Sequence, residues 1–165
     1  MKLSSLTLIP RKFFVTTGRG LSKVSKLNAF DRALIDAGIG NCNLVPVSSI
    51  LPGGSEECEV CDIPAGSIVF VVMAKMDGSE GEVLGAGIAW AWEENGRFGV
   101  VVEAHDNMDD EKLKTALNDR INEMAAMRGI KLKNVKYKVE SLSVPKGFYG
   151  SVVAALVFLP QSMKY

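Results

Sequence analysis

The 165-residue sequence predicts one domain of mixed α+β class, a layered sandwich built on a largely antiparallel sheet. Three observations predict it. Candidate strands outnumber candidate helices, and most are joined by short turns. Two amphipathic segments are long enough to cover a sheet. Several strands are apolar on both faces, so either sheets buried on both sides or a subunit interface must cover them. Hydrophobic residues make up 47% and charged residues 23%, an ordinary globular balance that excludes a disordered chain.

The elements follow in order. Lys12 to Thr17 (KFFVTT) predicts a short strand, with Gly18-Arg19-Gly20 as its turn. Asn28 to Ala37 carries Phe30, Leu34 and Ala37 at helical spacing, with Asn28 as N-cap and Gly38 at the left-handed position after the end. Asn43 to Ile50 predicts a strand at an edge or with a bulge, because Pro46 removes a ladder donor. Pro52-Gly53-Gly54 forms a turn, and a polar acidic loop runs on to Asp62. Ser67 to Lys75, Val83 to Trp92 and Phe98 to Glu103 predict strands, the last two joined by Glu94-Asn95-Gly96. Asp109 to Arg128 is the clearest helix: Leu113, Leu117, Ile121, Met124 and Met127 form one stripe, acids crowd the first turn, and Gly129 follows. Lys133 to Val144 and Ser151 to Leu159 close the chain as strands.

Nineteen basic residues balance nineteen acidic ones, so the whole chain carries no electrostatic footprint for nucleic acid. A small molecule or a second copy of the chain is the expected partner. The apolar stretch Leu6 to Ile9 is cut by Pro10 and is too short for a secretory core. Ser151 to Leu159 is too short for a membrane span. A cytoplasmic protein is expected. Cys42, Cys58 and Cys61 are odd in number, which argues against a disulfide framework. Cys58 and Cys61 form a lone CxxC, readable as half a zinc site, a redox pair or two reduced thiols in a loop. No second CxxC exists to complete a metal site, and no metal is expected.

Conventional catalytic groups are scarce. His105 is the single histidine, and no G-x-S-x-G elbow, Walker A loop or dinucleotide fingerprint occurs. Gly38-Ile39-Gly40 lacks a third glycine, and Gly85-Ala86-Gly87 sits inside an apolar strand where close backbone approach explains it. An electrophile or nucleophile must come from elsewhere.

Leu27-Asn28-Ala29-Phe30-Asp31, followed by Gly38-Ile39-Gly40-Asn41-Cys42-Asn43-Leu44 and Val47-Ser48-Ser49-Ile50, resembles the pyruvoyl-dependent arginine decarboxylases. The resemblance extends upstream to Phe14-Val15-Thr16-Thr17-Gly18 and downstream to Gly99-Val100-Val101-Val102-Glu103 and the long helix. It implies an αββα sandwich assembled as a homotrimer or a dimer of trimers, with active sites between subunits. It also implies self-cleavage between Ser48 and Ser49, into a small chain 1–48 and a large chain 49–165.

The chemistry of such a cut can be argued from the serine pair. Attack of the Ser49 hydroxyl on the preceding carbonyl turns the amide into an ester. β-Elimination leaves Ser48 as a free carboxyl end and residue 49 as dehydroalanine. Hydrolysis of the latter gives a pyruvoyl group and ammonia. The pyruvoyl ketone forms a Schiff base with a substrate amine and accepts the electron pair released with CO2, so no external cofactor is required.

By the same resemblance, Asn43 hydrogen-bonds near the processing carbonyl, with Asn41 the nearest confusable residue. Glu103 is the acid that reprotonates the α-carbon, ahead of Glu93 and Glu94. Asp31 pairs with the substrate guanidinium, although a helix-capping role competes, and Leu27 lines the same pocket. The substrate implied is L-arginine and the product agmatine, in polyamine biosynthesis or acid resistance. The sequence departs from the family where Pro52 is followed by Gly53-Gly54 instead of a second proline, and the Cys58–Cys61 loop matches no family pattern. Two alternatives stand beside this reading: a pyruvoyl enzyme for another amino acid, and an uncut oligomeric binding or scaffold protein.

Overall fold

Period-two alternation along the strands sorts the apolar side chains into three separate layers. Phe13, Val15, Val72, Ala74, Ile88, Val101, Ala154 and Leu156 form one cluster. Phe14, Val71, Val153, Ala155 and Val157, their neighbours in sequence, form a second with Ala33, Ala37 and Ile39. Ala89, Val100, Val102 and Ala104 form a third with Leu113, Leu117 and Ile121. Two sheets that each bury both faces require four layers.

A computed structural model describes residues 8–160. Its elements are β1 (Lys12–Ser22), α1 (Lys26–Asp36), β2 (Asn43–Pro46), β3 (Ile50–Pro52), β4 (Glu56–Glu57), β5 (Ile68–Ser79), β6 (Val83–Glu93), β7 (Phe98–Asp106), α2 (Asp110–Arg128), β8 (Leu132–Ser143) and β9 (Tyr149–Phe158). One sheet has the order β2-β5-β9-β1-β4 and the other β3-β7-β6-β8. The pairings are antiparallel except β1 with β4 and β2 with β5. The expected α+β sandwich with largely antiparallel sheets is the observed one, in the layer order α1, five strands, four strands, α2. The start of the Leu6 to Ile9 stretch lies outside the described residues. Among the described residues no helix is long and apolar enough to cross a membrane.

Four local expectations are corrected. Gly18-Arg19-Gly20 is not a turn: β1 runs through it to Ser22, and the glycines instead let α1 press on the strand. A Cβ on Gly18 would lie 2.1 Å from the Ala33 carbonyl oxygen, and one on Gly20 2.2 Å from that of Ala29. The N-cap of α1 is Ser25, whose hydroxyl accepts the Asn28 N–H at 3.1 Å, so Asn28 is inside the helix. This removes the capping-box explanation of Asp31. The strand expected from Asn43 to Ile50 is divided between two sheets as β2 and β3. Met127 points away from the sheet, and Ala125 takes its place in the buried stripe of α2. Gly38 has the positive φ expected of it, 78°.

Candidate active site

The division of β2 from β3 is the feature that builds the site. β2 follows β5 as far as Pro46 opposite Val71, and the Val47 N–H adds one bond to the Val71 carbonyl at 2.9 Å. β3 pairs with β7 from Pro52 opposite Phe98 to Ile50 opposite Val100. The Val101 N–H then donates to the Ser49 carbonyl at 2.9 Å. The Ser48–Ser49 linkage therefore crosses from the edge of one sheet to the edge of the other, with a ladder bond on each side of it. Ser48 is exposed and Ser49 half-buried. Val47, Ser48, Ile50, Pro52, Phe70 and Phe158 line an apolar cleft of about 380 Å³ beside the crossing, together with Leu8 and Pro10.

Register brings Glu103 to the same place. Val101 and Leu51 belong to the core between the sheets, whereas Val100 and Val102 face α2. Ser49, opposite Val101, and Glu103, two residues further along β7, consequently share the inter-sheet face. A regular diagonal pair of this kind stands about 7–8 Å apart, enough to hold a small substrate group between them. Glu103 is open at the sheet edge, yet the protein packed beside it raises its carboxyl above the usual range. Positive charge from His105 and Arg120 opposes that rise. Arg120 reaches the edge from α2, and its Nη1 donates to the Glu103 main-chain carbonyl.

The sequence alternatives for the acid lie at the turn between β6 and β7. Glu93 is 3% exposed, and its carboxylate accepts bonds from Asn95 and Arg97 in the β6–β7 turn. The Arg97 bond chiefly holds its carboxyl below the usual range. The main-chain carbonyl of Glu94 accepts a bond from Lys133 Nζ at 2.9 Å.

The other expected residues are not gathered around Ser49 within one chain. Asn43 begins β2, and its Nδ2 donates to the Gly66 carbonyl at 3.0 Å. Four residues separate it from Ser48, and it is not among the residues lining the cleft beside the crossing. Asp31 lies on α1 beside Arg19, Gly20, Arg32 and Leu142, lining a cleft of about 910 Å³ that mixes charged and apolar side chains. That cleft sits where β1 and β8 meet, at the opposite edge of the sandwich from β2 and β3. Three strand spacings, about 14 Å, separate the two edges across the sheet. Leu27 is 75% exposed, one helical turn before Asp31 on the same face of α1.

Among the described residues no group of three or more His, Cys, Asp or Glu side chains stands together as metal ligands would. All three thiols are free and pack against the core beneath α1. Cys58 Sγ donates to the Phe13 carbonyl at 3.3 Å, and burial raises its pKa above the usual thiol value. Two contributions escaped the sequence reading. Val101 acts through its backbone, which side-chain pattern does not reveal. Arg120 is one of many charges on α2, and only its place next to the buried Ile121 sets it apart.

The family model for pyruvoyl-dependent arginine decarboxylase matches residues 12–163. The chain belongs to that family. A pyruvoyl-dependent arginine decarboxylase of Methanopyrus kandleri is 39% identical over 150 residues, which cover 91% of this chain and 97% of that one. Its counterpart from Methanothermobacter thermautotrophicus is 35% identical over 154 residues, with coverage of 92% and 99%. That from Pyrococcus abyssi is 33% identical over 139 residues, with coverage of 82% and 87%. Membership makes this family protein an enzyme with a covalent pyruvoyl cofactor.

Proposed function

We propose that the chain cuts itself between Ser48 and Ser49 and then decarboxylates L-arginine to agmatine and carbon dioxide in the cytoplasm. The observation that carries this is the serine pair suspended between two sheet edges, with Ser49 on the same face as Glu103. Ladder bonds at Val47 and Ser49 fix the chain on both sides of the scissile linkage. The linkage itself lies outside both ladders, where its carbonyl is accessible to the Ser49 hydroxyl. Attack converts amide to ester, elimination frees the Ser48 carboxyl, and addition of water to residue 49 releases ammonia.

The site suits the resulting group. Residue 49 is half-buried at the gap, where a small ketone would stay open to a substrate amine beside an apolar cleft. When present, the ketone and its adjacent amide carbonyl take up the electron pair left by departing carbon dioxide. Glu103 holds the proton that replaces the carboxylate on the α-carbon; partial desolvation keeps its carboxyl protonated to higher pH. Asp31 receives the guanidinium, with Leu27 alongside the methylene chain, and Asn43 supplies a neutral donor.

These last three residues serve a neighbouring copy. Their placement away from Ser49, on a different edge or at the far end of β2, supports an active site shared between subunits. Edge meeting opposite edge is a heterologous contact. Where its rotation closes, such a contact makes a ring, and a homotrimer, alone or paired, is the ring the family resemblance implies. The test is a denaturing gel with intact-mass analysis of matured protein, assayed in parallel for agmatine. Two chains, 1–48 and 49–165, together with agmatine are expected; one full-length chain without activity contradicts the reading and favours a scaffold.

A further inference from the structure

Where β3 ends, β7 becomes the open edge of its sheet, and Glu103 lies on that open stretch. The Val101 N–H points outward to Ser49, so the backbone groups of Glu103, two residues on, also point outward. Among the described residues no strand remains to receive them. Arg120 fills the place: it precedes Ile121 of the buried α2 stripe, reaches round the edge and donates to the Glu103 carbonyl. An edge strand without a neighbour opens readily, and a shift of about 1 Å in a reacting group can cost a hundredfold in rate. A guanidinium donor is stronger than a neutral one and suits this task.

We propose that Arg120 is a positioning residue for Glu103, tethering the free edge of β7 so that the carboxyl is held toward residue 49. The inference rests on Glu103 being the acid, as argued above. Arg120 touches no reacting atom. Its second effect is electrostatic, since its charge favours the ionised carboxylate. The other charged groups around Glu103 are few. β7 contributes His105 and Asp106, and β6 presents the apolar Ile88 opposite Glu103. In the next strand of that row, Lys138 of β8 donates to the Val15 carbonyl. Across the gap β5 turns Ala74 inward; its Lys75 lies over the Phe30 ring on the α1 side and pairs with Asp77.

The test compares Arg120→Gln, Arg120→Lys and Glu103→Gln for self-cleavage, kcat, KM and the pH dependence of kcat. Arg120→Gln is expected to be cut normally and to keep its KM. Its kcat should fall about tenfold, the worth of one charge-assisted bond. The alkaline limb of its kcat profile should move to higher pH, because the lost charge no longer favours the carboxylate. Arg120→Lys retains the charge but not the reach of the guanidinium, so its limb should stay near wild type while kcat remains low. Unchanged kcat and limb in Arg120→Gln, with Glu103→Gln slow, overturn the inference alone. Wild-type kcat in Arg120→Lys overturns the tether. Loss of cleavage and of activity together in both variants assigns Arg120 to the fold and also overturns it. Normal turnover in Glu103→Gln removes the acid on which the inference rests.

Discussion

Ser49 and Glu103 stand on one face of one sheet edge, but the proposed mechanism gives them different steps, and single substitutions separate them. Ser49→Ala lacks the hydroxyl that attacks the preceding carbonyl; it should remain one chain of full mass and give no agmatine. Glu103→Gln keeps the size and face of the side chain, so it should still be cut. Its turnover should drop at least about a hundredfold, the usual contribution of a placed general acid. The sign of the pH effect follows from the raised carboxyl. Its acid form persists above the usual carboxylate range, activity falls as pH rises through the raised value, and Glu103→Gln should lack that limb. At Asp31 the loss concerns binding. Asp31→Asn should raise KM for arginine by roughly tenfold to a hundredfold, the worth of a charged hydrogen-bonded pair, with kcat less affected. Unchanged KM would favour a different amino acid as substrate. Of these residues, a bare Ser-Ser pair says nothing by itself; the motif around it singled out Ser48 and Ser49, but their place between two sheets was not legible. Asp31 was legible as an acid on a helix, but its remoteness from Ser49 was not, because distance across a sheet leaves no trace in local sequence.

At the scale of elements, apolar alternation located nearly every strand but could not say which sheet each one joins. Asn43 to Ile50 reads as one strand because Leu44, Val45, Val47 and Ile50 suit either sheet. Only the hydrogen bonds of Val47 to β5 and of Ser49 to β7 reveal the crossing between them. Gly18 and Gly20 misled for a related reason: glycine marks a turn and also a close approach, and here α1 lies on the strand. Gly20→Ala should therefore destabilise the protein by about 1–3 kcal/mol in chemical denaturation, as overpacking does, since its Cβ would meet the Ala29 carbonyl and the Ala33 N–H. No loss of stability would mean that α1 stands further off than described. The long helix was legible almost to its ends because its stripe, its Asp109 cap and Gly129 agree.

For the whole molecule, the proposed cut would divide the sandwich without taking it apart. β1 would belong to the small chain, yet it lies between β9 and β4, which would belong to the large one, and pairs with β9 from Phe13 opposite Phe158 to Ser22 opposite Tyr149. α1 covers the same sheet, and the core beneath it draws on both pieces. Matured protein should elute as one native species in size exclusion, and its two chains should part only in denaturant; spontaneous separation would contradict this architecture. A neutral net charge and an exposed row on α1 containing Leu27 and Ile35 agree with a second copy covering that edge.

The most direct measurement is the mass of the large chain after maturation, with and without phenylhydrazine. A chain beginning at residue 49 whose first residue carries a ketone should gain one hydrazone adduct, while the small chain gains none. A large chain that begins with intact serine and takes up no hydrazine would contradict the account at its root.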